Sequence, residues 1–332
     1  MVDRSILLKG NGDFTAEQVM TVVKGDDPSL QLLSLGLTTA PGCNMDCIYC
    51  YNAGGTLEAG RETPYTMTWK DYDKAIREAA VLGAQSVIIV GVGETLMDEN
   101  WRPIVQLTRE QGMIPLIFTN GSLLDKDTCR FLFQYQASIY LSLESVREET
   151  FNLITRTKGL FPRVMEGIDN CLEAGFGSIN THNGYQVSDF GINAMIMKAN
   201  IDELAEMEAF CQRKNILFTS RLPEKLGTAV TLWDDLISPS PEEAERMRKL
   251  SEKYSHGSEI FRTDFGCLFW VVGVLLGADG NARLCYSLNQ KIELGNIKEV
   301  GIQEMIDKRR KHYPFNNNYF CPIHSEMAAQ SE

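Results

Sequence analysis

Between residues 34 and 222 the chain repeats one pattern: a short, almost wholly apolar run, then a longer stretch with apolar residues at helical spacing. The apolar runs cover 34–40, 86–91, 115–119, 137–143, 190–197 and 216–222. Helical spacing marks 67–82, 100–111, 125–134, 161–174 and 201–214, with Gly175 as the stop of the fourth. Strands that are apolar throughout are buried on both faces, and their alternation with helices predicts an α/β fold with a parallel sheet covered by helices. The rhythm alone leaves open whether the sheet curls into a partial barrel or lies flat and doubly wound.

The first strand runs into Pro41-Gly42 and then Cys43-Asn44-Met45-Asp46-Cys47-Ile48-Tyr49-Cys50. A loop this short can gather three sulfurs around one centre, and soft thiolates select iron–sulfur clusters or zinc. Structural zinc wants a fourth ligand close by, and the next fifty residues hold neither Cys nor His. A cubane of four irons held by three cysteines leaves one iron open for chemistry.

Composition narrows the partners. The 332 residues carry a net charge of −12, which argues against nucleic acid or an anionic membrane surface. No apolar run approaches the length of a membrane span, and the opening Met1-Val2-Asp3-Arg4 does not read as a secretory signal. The nine cysteines are therefore expected to be reduced, cytoplasmic and partly metal-binding. Cys129, Cys171 and Cys211 fall within expected helices and read as small buried hydrophobes.

The cysteine spacing, with Tyr49 just before the last thiol, resembles the signature of the radical S-adenosylmethionine superfamily. The resemblance covers roughly residues 32–325. It implies a partial (β/α)6 barrel of the TIM type, with the site at the carboxyl ends of the strands. It also implies a [4Fe–4S] cluster on Cys43, Cys47 and Cys50, and S-adenosylmethionine bound at the open iron. An external one-electron reductant such as flavodoxin or ferredoxin would supply the electron, and a 5′-deoxyadenosyl radical would abstract hydrogen from the substrate.

Further residues are carried over by position. Gly91-Val92-Gly93-Glu94-Thr95 resembles the family's Gly-Gly-Glu-Pro segment, which holds the methionine amino group; Val92 splits the glycines and Thr95 replaces proline, so Gly93 and Glu94 are the residues carried over. A plain strand-to-helix turn is the other reading. Asn120 closes the third strand and Ser142 and Glu144 the fourth, resembling segments beside the cofactor ribose or the substrate. Asn193 on the fifth strand and Arg221 on the sixth are placed where the family sets partners for the ribose and carboxylate. Tyr49 is expected near adenine. Each has an ordinary structural alternative, since polar residues are also how strands end.

Residues 1–31 read as an N-terminal arm with a helix capped from Asp13, 32–225 as the barrel and 226–262 as a helical connector without chemistry. His182 falls in a loop before the fifth strand and reads as a surface residue. Residues 263–332 resemble a twitch or SPASM-like auxiliary-cluster domain of β-hairpin and helix. There Cys267 and Cys285 flank a hairpin that turns at Ala278-Asp279-Gly280-Asn281, and Cys321-Pro322-Ile323-His324 ends the module. The resemblance implies one auxiliary [4Fe–4S] cluster on Cys267, Cys285 and Cys321, with His324 as candidate fourth ligand. Zinc on three Cys and one His is the alternative. The expected substrate is a small polar molecule such as a sugar, aminocyclitol or nucleoside. Modification of a ribosomal peptide is the runner-up, because the arm is short for a peptide-recognition domain. A non-enzymatic, zinc-stabilised binding module comes third.

Overall fold

The structure, a computed structural model, describes residues 6–39, 42–50, 65–223, 225, 227–237, 240–254, 269–284 and 293–312. Its strands are β1 (Ile6–Leu8), β2 (Ser34–Thr39), β3 (Ser86–Gly91), β4 (Ile114–Thr119), β5 (Ser138–Ser142), β6 (Ile179–His182), β7 (Tyr185–Ser188), β8 (Phe190–Met195), β9 (Leu217–Arg221), β10 (Gly273–Leu276) and β11 (Ala282–Arg283). Among the described residues, eight of them form one sheet in the order β11-β10-β2-β3-β4-β5-β8-β9, parallel except for the β10–β11 hairpin. The sheet is not closed, because β9 and β11 are its two ends. All six expected strands are present, and side chains of β3, β4, β5 and β9 meet around Leu8 on one face, as in a partial barrel.

Alternation along each strand gives the sheet two faces. Leu35, Leu37, Val87, Ile89, Ile117, Ile139, Leu141, Ile192 and Phe218 face the helices and form the main core. On the other face Ile88, Leu116, Tyr140 and Leu217 meet around Leu8 of β1. The N-terminal residues therefore do more than trail from the barrel. β1 pairs with β7, the β6–β7 hairpin stands beside it, and Leu8 is inserted among the inward-facing side chains. A Cβ on Gly191 would lie 3.3 Å from Leu8 Cδ1, so a glycine there leaves space for the plug. Leu8→Ala is expected to cost about 3 kcal/mol, the usual range for a buried leucine whose site cannot fully collapse, measured by urea unfolding of the whole chain.

The arm's helix, Ala16–Lys24, is capped by Thr15 in a reciprocal box with Gln18, and the expected cap at Asp13 is corrected. Asp13 is fully buried: it accepts from the Gly10 amide at 2.8 Å and meets His182 Nδ1 at 2.6 Å. His182 is thus the half-buried end of β6, not a loop residue. Asn183-Gly184, with φ values of 50° and 84°, makes the two-residue hairpin turn that this dipeptide favours, a signal present in the sequence. Helix Glu148–Thr155 also went unforeseen. It has no side-chain cap, and it ends at Arg156 in the left-handed region instead of at a glycine.

The described part of the C-terminal segment is hydrogen-bonded into this frame. β10 runs parallel to β2, from Gly273 beside Ser34 to Leu276 beside Leu37. Helix Ile302–His312 follows, its first amide donating to the Glu78 carboxylate at 2.8 Å, while Lys74 donates to the Ile297 carbonyl at 2.6 Å. No helix of the described residues is long and apolar enough to cross a membrane. Cys129, Cys171 and Cys211 are buried, as expected of small core side chains.

Candidate active site at the strand ends

In a parallel sheet every strand delivers its last residue to the same edge. Here that edge collects the cysteine loop after β2, Gly93 and Glu94 after β3, Asn120 after β4, Ser142 and Glu144 at and after β5, Asn193 in β8 and Arg221 at the end of β9. Register makes neighbours of Ser142 and Asn193, of Asn193 and Thr219, and of Met195 and Arg221. Tyr140, Asn193 and Thr219 face into the barrel below them. The Tyr140 hydroxyl donates to Asn193 Oδ1 at 3.3 Å and is hydrogen-bonded to the Thr219 hydroxyl, while Phe118 packs edge-on to the phenol ring at 5.0 Å.

Three segments hold the cysteine loop. The amides of Asp46 and Ile48 donate to the carbonyls of Thr155 and Ile154, at 3.0 and 2.9 Å, so the unforeseen helix is one support. Ile48 is buried with Ile154, Met197, Ala229 and Ile237, and the Thr228 amide donates to the Cys50 carbonyl at 2.9 Å. The connector that shows no chemistry in the sequence therefore braces the loop. The third support is backbone against backbone: Glu94 N donates to the Gly42 carbonyl at 2.8 Å, and a Cβ on Gly93 would sit 1.9 Å from that oxygen. Gly93 is required because two chain segments touch there. Thr95, standing where proline was expected, accepts from the Gly91 amide at 2.8 Å and tightens the same turn.

The carboxylates behave differently from one another. Glu94 is buried and satisfied by the chain: Thr119 Oγ1 at 2.6 Å and Leu96 N at 3.0 Å on one oxygen, Asn120 N at 2.7 Å on the other. Burial pushes its pKa up, and these donors pull it back. Glu144, also buried, accepts from the Tyr49 hydroxyl at 2.5 Å, and burial lifts its carboxyl to about 7. Tyr49 is thus tied to β5 through Glu144, and burial holds its phenol well above the usual range. Asn200, fully buried, donates to the carbonyls of Glu144 and Met195, at 2.8 and 2.9 Å, and fixes where the ends of β5 and β8 sit.

The thiols fit a cluster better than a single metal ion. Cys43, Cys47 and Cys50 are thiols outside any disulfide and are partly exposed. Burial pushes the Cys47 thiol well up, and Glu144, Cys50 and Cys43 push the same way. In the unliganded chain Cys47 is therefore a neutral thiol, and a bound cationic centre would hold it as the thiolate. Three thiols leave one iron of a cubane without a protein ligand, whereas structural zinc takes four protein ligands. Cys267, Cys285, Cys321 and His324 lie outside the described residues.

Comparison with known proteins agrees with this geometry. The sequence model of the Radical SAM superfamily matches residues 37–198. A probable GTP 3′,8-cyclase of Methanothermobacter thermautotrophicus is 28% identical over 185 residues, covering 55% of this chain and 55% of its own. The Fe-coproporphyrin III synthase of Methanosarcina barkeri is 25% identical over 301 residues, covering 83% of this chain and 68% of its own. The chain thus spans about half the length of the probable cyclase. Among solved structures, Streptococcus suis SuiB bound to its precursor peptide SuiA superposes with a TM-score of 0.64 at 17% identity, covering 93% of this chain and 70% of SuiB. Native anSMEcpe with bound AdoMet gives 0.60 at 15% identity, covering 84% and 82%. At such identities the likeness is one of fold. The matched stretch contains the cysteine loop, the glycine contact behind it and the strand ends through β8, so the site assembled above falls within the part of the chain that is similar to the Radical SAM superfamily.

Proposed function

We propose that this chain is a radical S-adenosylmethionine enzyme acting on a small polar molecule. The observation that carries the reading is the placement of three thiols, none in a disulfide, in the loop beside the strand ends that present Gly93, Asn120, Glu144 and Asn193. Cys43, Cys47 and Cys50 would hold the [4Fe–4S] cluster. That cluster would pass one electron from an external reductant to bound S-adenosylmethionine, chemistry that would make hydrogen-atom abstraction from the substrate possible. The chain's own part is to bind, orient and exclude water. Gly93 keeps the loop against β3, while Tyr49 and Glu144 close one side of the site. Tyr140, Ser142, Asn193 and Thr219 present hydroxyl and amide groups toward the barrel interior, and Arg221 offers a guanidinium at the last strand end.

Such a lining suits a substrate with hydroxyl, carbonyl or phosphate groups, such as a sugar, aminocyclitol or nucleotide. The GTP in the names of several relatives points the same way. Flavodoxin or ferredoxin is the proposed reductant. The described hairpin between Cys267 and Cys285 supports an auxiliary cluster on those residues with Cys321, and with His324 as fourth ligand. The test is anaerobic reconstitution followed by dithionite reduction with S-adenosylmethionine and panels of nucleotides, amino sugars and peptides, with 5′-deoxyadenosine followed by chromatography. Stimulation by a polar small molecule is expected. Stimulation by peptides alone would move the assignment to peptide modification, and protein carrying zinc and no iron would end the enzymatic reading.

A further inference from the structure

Three side chains beside the first cysteine close a ring of hydrogen bonds. Asn120 Nδ2 donates to Asn44 Oδ1 at 2.8 Å, Asn44 Nδ2 donates to Ser122 Oγ at 2.8 Å, and Ser122 Oγ donates to Asn120 Oδ1 at 2.7 Å. Every bond runs in the same sense, so each polarises the next. The orientation of the Asn120 amide is not open to choice. The Ser122 backbone N–H, which can only donate, also reaches Asn120 Oδ1 at 3.0 Å, so that atom must be the oxygen. The Asn120 nitrogen then faces the cysteine loop, 4.0 Å from Cys43 Sγ, with a second proton to give. The residue's own amide is anchored below, donating to the buried Glu94 carboxylate at 2.7 Å.

We propose that Asn120, held by Asn44 and Ser122, is a positioning residue that donates to the Cys43 sulfur and raises the reduction potential of the cluster. The inference rests on the cluster assignment above. Reduction adds negative charge that is shared with the ligand sulfurs, and a fixed N–H dipole aimed at one of them stabilises the reduced state more than the oxidised one. A carbonyl turned the same way would do the reverse, which is why the ring's fixed sense matters. Asn44, inside the cysteine loop, and Ser122, beyond β4, thus acquire a role through Asn120 without touching the sulfur.

The test uses the full chain, reconstituted anaerobically without S-adenosylmethionine and titrated electrochemically, with electron paramagnetic resonance following the reduced signal that disappears in the Cys43→Ala variant. Asn120→Leu, which removes the donor at similar volume and adds no charge, is expected to disfavour reduction about tenfold, a fall of about 59 mV for a one-electron couple. Ser122→Ala opens the ring and leaves Asn120 in place, so a smaller fall in the same direction is expected. Iron content per chain reports loading separately. If both variants load iron and keep the parent's potential, the proposal is overturned while the cluster assignment stands. Should Asn120→Leu fail to load, Ser122→Ala decides: a lowered potential supports the proposal and an unchanged one ends it. A parent protein without a cluster dependent on the first three cysteines would overturn both readings.

Discussion

Replacing any one of Cys43, Cys47 or Cys50 by alanine is expected to remove one cubane's share of the absorbance and iron of the reconstituted protein, leaving only the proposed auxiliary cluster, and to abolish the formation of 5′-deoxyadenosine. The loop is braced by contacts that do not involve sulfur: Asp46 and Ile48 bond to the end of helix Glu148–Thr155, Cys50 bonds through its carbonyl to Thr228, and Ile48 is buried. The apoprotein should therefore stay folded. Removing a buried or half-buried thiol deletes one small side chain, a loss of about 1 kcal/mol or less where the site partly collapses. The expected signature is near-parental thermal unfolding of the apoprotein with iron uptake reduced by one cubane. Retention of the parental iron content and cubane absorbance in all three single variants would sink the site assignment, because a cluster that ignores these thiols is held elsewhere.

Gly93→Ala is expected to produce nearly as large an effect without touching a ligand. Its new Cβ would lie 1.9 Å from the Gly42 oxygen, 2.3 Å from the Gly42 carbonyl carbon and 2.8 Å from Cys43 N. All three are backbone atoms, so no side chain can swing away. The strand end and the cysteine loop must separate by about 1 Å or more to reach ordinary contact, and the bond from Glu94 N to the Gly42 carbonyl is stretched or lost. A displacement of that size costs roughly 100-fold in rate when it moves reacting groups out of line. The measurement is the initial rate of 5′-deoxyadenosine formation per bound cluster, beside iron content. An alanine variant with parental rate and loading would show that the loop tolerates the shift and that this contact does not define the site.

The two outcomes together separate ligation from geometry. Cysteine variants remove the donor set and leave the scaffold, whereas Gly93→Ala keeps every thiol and moves the scaffold. The asymmetry of the carboxylates supports the same division. Glu94 has three donors from its own chain, which makes it chiefly the clasp joining β3, β4 and the loop. Glu144, with a carboxyl lifted to about 7 and a tyrosine hydroxyl as partner, is the one whose protonation changes near neutral pH.

What the sequence determined by itself is local. Six apolar runs specify six strands within a residue or two, because a strand buried on both faces must be apolar throughout. The cysteine spacing specifies a chemistry, since three thiols within eight residues have few uses. The helix end at Gly175 followed from capping chemistry. Only the tertiary structure decided the rest. It set β10 beside β2, put Leu8 on the barrel floor, buried Asp13 against His182, and brought Thr228 to Cys50 and Asn120 to Asn44. These pairs lie far apart in the chain, and nothing periodic marks either partner. Each is settled by which unpaired edge, cavity or buried donor remains once the strands have assembled. A polar residue at a strand end reads the same whether it caps a turn or points at a sulfur; the direction of its hydrogen bonds exists only in three dimensions.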